Sequence, residues 1–418
     1  MRTQSRTKVH VVDLSARILA AMCALNINGM ANMMLDKGNM VSILMLVTSL
    51  ILIIKRGNAA RSRPLVLLIS AIASYLFLAT AFYDPLMSVE EPMKYYRAYG
   101  SAILIIWGIA AYTASIRKTS LCQGWLSFLR NLFLVSAGSI WISPVLYEYY
   151  VNTPNSFELR MGGFFGNPNE AAIASLFAVA LLFAVPFRRR VIQLSLLTMA
   201  AGAVVMTFSK IGIIALVVLL AWHAFLKLKG LFVVLVPVVA VLAIITLQNI
   251  NFVLEVVVEN PYFELELSQQ HRILAVGKIL TGTFSAETTT NRVYVWGIAL
   301  DNIWENFPLA SGLGSAHSII GGYWDVDHWA GVHNSFLMLL YEAGLIPLGL
   351  LIASLIMLAS AAFRSGGKLI HYSLFIIVAD MMATHGALAL RYDNLMLAVI
   401  IGMVASRVSS RTVPRQHL

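Results

Sequence analysis

The sequence predicts an all-α integral membrane protein of about twelve transmembrane helices, with a long, partly helical loop between the ninth and tenth. Three observations carry that prediction. Of 418 residues, 59% are hydrophobic and only 12% charged, at a mean hydropathy of +0.78, against roughly half apolar and a quarter charged in soluble domains. Apolar runs approaching the roughly 20 residues a bilayer crossing takes recur along the chain. The charges between those runs separate by sign from one connector to the next.

The runs fall at 17–35, 40–54, 64–83, 99–115, 126–146, 170–187, 191–208, 211–226, 231–248, 334–362, 370–389 and 395–406. With the N-terminus and every second connector on one side, that side holds twenty of the thirty Lys and Arg residues, and its only acid is Asp13. The other side holds the ten remaining bases and nineteen acids. Positive-inside bias then predicts cytoplasmic N- and C-termini, and the net charge of +10 reflects orientation rather than a nucleic-acid partner. The basic stretch before the first run resembles a signal-peptide n-region. Further spans follow without a clean small-residue cleavage site, so it reads as part of a retained first helix. Cys23 and Cys122 are too few for a disulfide framework or a cysteine-rich metal site. No short-period repeat or composition break divides the chain, and residues 1–418 read as one polytopic domain.

Chemistry at a membrane needs residues that meet water, which directs attention to two loops on the acidic side, 147–169 and 249–333. The second is far longer than an ordinary connection. Within it, Asn291–Phe307 reads as an amphipathic helix whose apolar stripe is Val293, Trp296, Leu300, Ile303, Trp304 and Phe307, with Asp301, Asn302 and Glu305 mostly on the wet side. Asn291 suits the N-cap, which puts Arg292 in the first turn, where a cation opposes the helix dipole unless an anion lies nearby. A solvated Arg292, or one paired with Glu287, is the structural alternative to a diphosphate held by its guanidinium and by free backbone N–H groups.

In the first loop, Arg160 precedes Gly162, Gly163, Phe164, Phe165, Gly166, Asn167, Pro168, Asn169 and Glu170. A capping box accounts for Asn167, Pro168 and Glu170. It leaves Arg160 and the glycine pair, which would let backbone approach an anionic head group closely. Lys210 stands in the short turn Thr207–Lys210 between two apolar runs, where an ammonium either snorkels to the surface or meets an anion. His333, in Val332-His333-Asn334-Ser335, stands where the long loop enters the tenth run. It is either a capping or interfacial histidine or a base for a sugar hydroxyl. His271, His317, Asp325, Asp327 and His328 share the long loop, but their spacing matches no metal motif.

Together these features resemble the O-antigen ligase and polysaccharide polymerase superfamily. The resemblance rests on the span pattern, the long outward loop after the ninth run and the Arg160-led Gly-Phe-Phe-Gly-Asn-Pro-Asn segment. It rests also on Arg292 with Trp296, the turn from Pro308-Leu309 to Gly312-Leu313-Gly314, His333-Asn334, and Tyr341-Glu342-Ala343-Gly344. It implies a membrane glycosyltransferase of GT-C type in a bacterial inner membrane. Such an enzyme moves a glycan from undecaprenyl diphosphate to an acceptor hydroxyl on the periplasmic face, with inversion and with neither metal nor nucleotide. Carried over residue by residue, Arg160 and Arg292 would hold the diphosphate and His333 would face the acceptor.

Lys210 occupies a turn where ligases usually carry Arg, and Ile214 stands where they carry Leu. Pro347 stands where they tend to have Gly, Thr or Tyr. Lys210 would still neutralise phosphate, without the bidentate fork. Those departures favour a polymerase of O-antigen or exopolysaccharide, working with membrane lipids and a chain-length regulator. A ligase attaching glycan to lipid A core is the alternative. A small-anion or bicarbonate transporter is a third reading, and it would place its ionisable residues near the bilayer midplane, where Asp380 is the main candidate.

Overall fold

The computed structural model describes residues 2–35, 38–83, 92–116, 119–149, 161–165, 167–227, 270, 274–275, 278, 292–306, 310–317, 331–365, 367–384 and 386–411. Among the described residues every regular element is helical. The first run is two helices, α1 (Arg2–Ala24) and α2 (Ile27–Leu35), bent by 60°. The bend is at Asn26, which takes a left-handed φ of 47° and donates from Nδ2 to the Phe164 carbonyl at 3.2 Å. Asn tolerates that conformation better than most residues, and its amide ties the break to the segment before the sixth run.

There follow α3 (Gly38–Arg56), a 3₁₀ turn at Gly57–Ala60, α4 (Arg63–Ala81), α5 (Pro92–Ser115), α6 (Thr119–Trp141) and the short α7 (Ser143–Tyr147). Pro64 and Pro144 lie in the first turns of α4 and α7, where the missing N–H has no intrahelical partner to lose. Next come α8 (Pro168–Ala184), α9 (Arg190–Met206) and α10 (Lys210–Lys227). The C-terminal part holds α11 (Arg292–Asn306), α12 (Ser335–Ala343), α13 (Leu345–Ser365), α14 (Lys368–Ala383) and α15 (Arg391–Arg411).

Eleven of the twelve apolar runs are helical, and 231–248 lies outside the described residues. Among the described residues five helices are long and apolar enough to cross a membrane, six if the bent α1–α2 pair is one span. The remainder are shorter or more polar: α8 and α9 have 17 residues each and α14 has 16, about 25 Å of helix against a hydrocarbon core near 30 Å. The run expected at 334–362 is broken at Gly344, whose φ of 81° no helix accommodates, so α12 is a separate short helix.

α8 lies at the centre. Every residue from Ala171 to Leu182 is buried, and α6, α9, α10 and α14 surround it. A helix apolar on all faces is stable only when enclosed in this way. On the other side of the molecule α15 packs on α5 at a close crossing, where a Cβ on Gly402 would stand 2.6 Å from Thr113 Cβ.

The helix ends sort by charge. Lys55, Arg56, Arg61, Arg63, Arg188, Arg189, Arg190, Lys227, Arg364 and Lys368 cluster at one end, in the α3–α4 and α8–α9 connectors and at the facing termini of α10, α13 and α14. Tethers at that end include Arg130, which donates to the Val185 carbonyl at 2.7 Å and lies over the Phe187 ring, and the His223 to Tyr372 hydrogen bond at 2.9 Å between α10 and α14.

In the long loop the amphipathic helix forms as α11, with residues 291 and 307 outside the described residues, and its stripe is corrected. Val295 and Ala299 are buried and Trp296 and Ile303 half-buried, while Leu300 is 53% and Trp304 85% exposed. Asn302, expected in water, donates to Tyr341 Oη at 3.3 Å. The face toward α12 was set by two small side chains and two hydrogen bonds rather than by the bulkiest apolar groups. The side chains of Val293 and Phe307 lie outside the described residues.

Candidate active site

The site is built at the helix ends opposite the basic cluster, beginning with the approach to α8. Gly163 opens a 3₁₀ turn at φ 56°, so close to α6 that a Cβ would stand 2.3 Å from Ser139 Oγ. Glycine is therefore required here by the turn itself. The expectation that the glycine pair offers its backbone to an anion is corrected, because those donors are already engaged. Gly162 N–H donates to Tyr147 Oη at 2.5 Å, Gly163 N–H to Ser143 Oγ at 2.8 Å and Phe164 N–H to Ser139 Oγ at 3.1 Å. Asn167 caps α8 as the sequence predicts, its Oδ1 accepting from Asn169 N–H at 2.9 Å. Arg160 lies outside the described residues.

Lys210 is the first residue of α10 and is half-buried. The turn before it is tightened by Phe208 at φ 49° and by Ser209, whose Oγ accepts from Gly212 N–H at 3.3 Å. Gly212 stands against Ala172, where a Cβ would come within 2.6 Å, so the first turns of α8 and α10 touch. Lys210 and Glu170 therefore lie in the first turns of two helices that touch.

His333 is clamped from both sides. Before it, Val332 N–H donates to the Ala316 carbonyl at 3.2 Å, and the Val332 carbonyl accepts from Trp296 Nε1 at 2.6 Å. After it, Asn334 Oδ1 accepts from Phe336 and Leu337 N–H at 3.0 and 3.1 Å, capping α12. Ser335 Oγ donates to the Thr384 carbonyl at 2.8 Å and accepts from Ala387 N–H at 3.0 Å. Between these ties His333 sits half-buried at φ 42°, a left-handed conformation that costs a non-glycine residue roughly 1–2 kcal/mol. Strain held by surrounding hydrogen bonds is found preferentially where a side chain must be aimed. Arg292, the first residue of α11, stands one turn before Trp296 and so close along the chain to this clamp; its side chain is outside the described set.

Two groups were not singled out from sequence as parts of the site. Arg391 begins α15 within electrostatic reach of Glu170 in the first turn of α8 and of Cys23 in α1. Around it are the buried Asp380, Asp393 and Asn394, and Tyr392 stacks edge-on to Phe165 at 5.5 Å. Thr384 Oγ1 donates to the Asp380 carbonyl at 2.9 Å and to Asp380 Oδ1 at 3.3 Å. The available signal was a base at the start of an apolar helix, the same pattern that marked Arg292, but the last run was drawn from 395.

The second group surrounds Glu342, which has no exposed surface. Its Oε2 accepts from Tyr75 Oη at 2.5 Å, its Oε1 from Ala316 N–H at 3.1 Å, and His317 Nδ1 lies 3.8 Å away. His317 Nδ1 also meets Tyr95 Oη at 2.9 Å. This network fixes the Ser315–His317 turn, and through Ala316 the strand of backbone leading to His333. His317 therefore has a structural use, while His271, Asp325, Asp327 and His328 lie outside the described residues.

Comparison with known protein families matches residues 194–354 to a family described as O-antigen ligase. The matched segment contains Lys210, Arg292, His333 and Glu342; Arg160 and Arg391 fall outside it. Comparison with curated proteins gave no significant match.

Proposed function

From the place of this chain in the O-antigen ligase and polysaccharide polymerase superfamily, we propose that it is a polymerase of O-antigen or exopolysaccharide. It takes a glycan from undecaprenyl diphosphate and joins it to a sugar hydroxyl of a growing lipid-linked chain at the periplasmic face. In this reading residues 1–418 form one domain of twelve crossings in a bacterial inner membrane, with both termini cytoplasmic and a chain-length regulator as partner.

The observation that carries the reading is a pair of cations: α10 and α11 begin with Lys210 and Arg292 and have no acid in the first turn, whereas Arg391 at the start of α15 already has Asp393 in its turn and Glu170 within electrostatic reach. A cation in a first turn opposes the helix dipole and gains from an anion there. A diphosphate supplies that anion, and fixed cations in a poorly hydrated site stabilise the charge that develops on the bridging oxygen as the glycan departs. Arg160 is assigned to the same ligand. His333 takes the acceptor hydroxyl, as base or orienting group, and attack from the face opposite the diphosphate inverts the anomeric carbon. The acids Asp380 and Asp393 stand at the last turn of α14 and the first turn of α15, an arrangement that favours an end-on site over transport through the bilayer midplane.

The ligase reading has one observation of its own, the description of the matched family. The test uses purified protein with a synthetic undecaprenyl-diphosphate repeat unit, offered either a second lipid-linked unit or lipid A core, with donor binding and product measured separately. A polymerase extends the lipid-linked unit; transfer to lipid A core alone identifies a ligase. His333→Ala should bind donor as the wild type does while transfer falls by about 10²–10⁴-fold, and a chelator should leave the wild-type rate unchanged. Equal product from His333→Ala and wild type would remove His333 from the mechanism.

A further inference from the structure

Where α3 runs out into the Gly57–Ala60 turn, at the basic end of the bundle, a cavity of about 450 Å³ opens between that connector and α5. We propose that it binds the headgroup of an anionic glycerophospholipid from the adjacent leaflet. The transfer chemistry, at the opposite end, makes no use of it.

The cavity wall changes character over very few residues. Ile53, Ile54 and Trp107 form its apolar side, and Lys55, Arg56 and Asn58 its polar side. Ile54 is 75% exposed on a helix with the length and hydropathy of a membrane span, and the two residues that follow it are exposed cations. A ligand seated here meets acyl-chain surroundings at one edge and positive charge at the other. Trp107 Nε1 donates to the Gly57 carbonyl at 3.3 Å, which holds the indole against the connector as a fixed wall. Tryptophan with its N–H turned to a polar group is the usual residue at the depth where headgroups begin.

Charge selects within the phospholipids. The lining has two cations and no acid, so a phosphodiester is attracted, and a headgroup carrying its own ammonium would bring a like charge beside Lys55 and Arg56. Phosphatidylglycerol offers the phosphate without the ammonium and donates through its glycerol hydroxyls, for which the Asn58 side-chain oxygen is an acceptor. The cavity is also within the roughly 300–1,000 Å³ range of small-ligand sites.

The experiment is native mass spectrometry of the purified full-length protein released from mixed micelles, with phosphatidylglycerol or phosphatidylcholine as the probe and inorganic phosphate as competitor. One phosphatidylglycerol per chain should be retained at least about tenfold above phosphatidylcholine. Lys55→Ala with Arg56→Ala should lose that retention, and Asn58→Asp, which adds a negative charge to the wall, should weaken it. Arg188→Ala with Arg189→Ala removes two exposed cations from the same end of the bundle but outside the cavity, and should change retention less than about twofold. Equal loss in both double variants, or equal retention of the two lipids, would overturn the proposal. Displacement by inorganic phosphate would overturn it as well, assigning the cavity to a free anion.

Discussion

His333 and Glu342 show how single residues hold the candidate site. His333 tolerates a left-handed backbone because hydrogen bonds on both sides leave it no alternative. His333→Asn, which accepts that conformation, should unfold within about 1 kcal/mol of wild type, whereas the β-branched His333→Val should lose about 1–2 kcal/mol. Detergent-based thermal unfolding measures both, and equal stability of the two would mean the backbone strain is relieved in another way. Glu342 is the opposite case, a buried carboxylate with donors converging from α4 and from the Ser315–His317 turn. Tyr75→Phe leaves it one donor short and should cost about 1–3 kcal/mol. Glu342→Gln, which keeps an acceptor for Ala316 N–H, should cost less than Glu342→Ala. Neither contact was legible in the sequence, because the partners are 267 and 26 residues apart and no local period relates them.

Among the elements, those governed by neighbouring residues were legible and those governed by distant ones were not. The Asn167 cap of α8 and the helical character of α11 follow from local rules, and both are present. The orientation of α11 does not, since it depends on the Val332 carbonyl and the Tyr341 hydroxyl, which lie 36 and 39 residues onward. The glycine pair before α8 resembled a ligand cradle for the same reason: the hydroxyls that occupy its N–H groups belong to side chains 15 and 20 residues earlier. Two substitutions check these assignments. Gly163→Ala must push a methyl group into Ser139 in an unfavourable backbone conformation, and should destabilise by about 2 kcal/mol or more. Trp296→Phe keeps the packing of α11 but releases the Val332 carbonyl, so transfer should fall while the melting temperature shifts by only a few degrees, consistent with about 1 kcal/mol.

For the whole molecule, the separation of charge was legible long before any contact was, because it depends only on counting bases between apolar runs. It supports a topology test: a reporter fused after Arg190 or Lys229 should be cytoplasmic and one near Ser285 periplasmic. An internal Ser285 fusion would sink the site assignment along with the orientation. What counting missed was Arg391, whose significance comes from its distance to Glu170 in space rather than in sequence.

That same proximity, with the complete enclosure of α8, has a consequence for biogenesis. α8 emerges from the ribosome about 220 residues before the start of α15. At roughly 5–20 residues per second, that is an interval of about 10–45 s. α9 and α10 follow α8 directly and can pack on it during that interval, whereas the face of α8 destined for α14 has only lipid or the insertion machinery to touch until residues 368–383 are made, and Arg391 comes within reach of Glu170 later still. Assembly of this chain is therefore closed late, and a ribosome stalled before α14 leaves one apolar face of α8 without the helix that covers it.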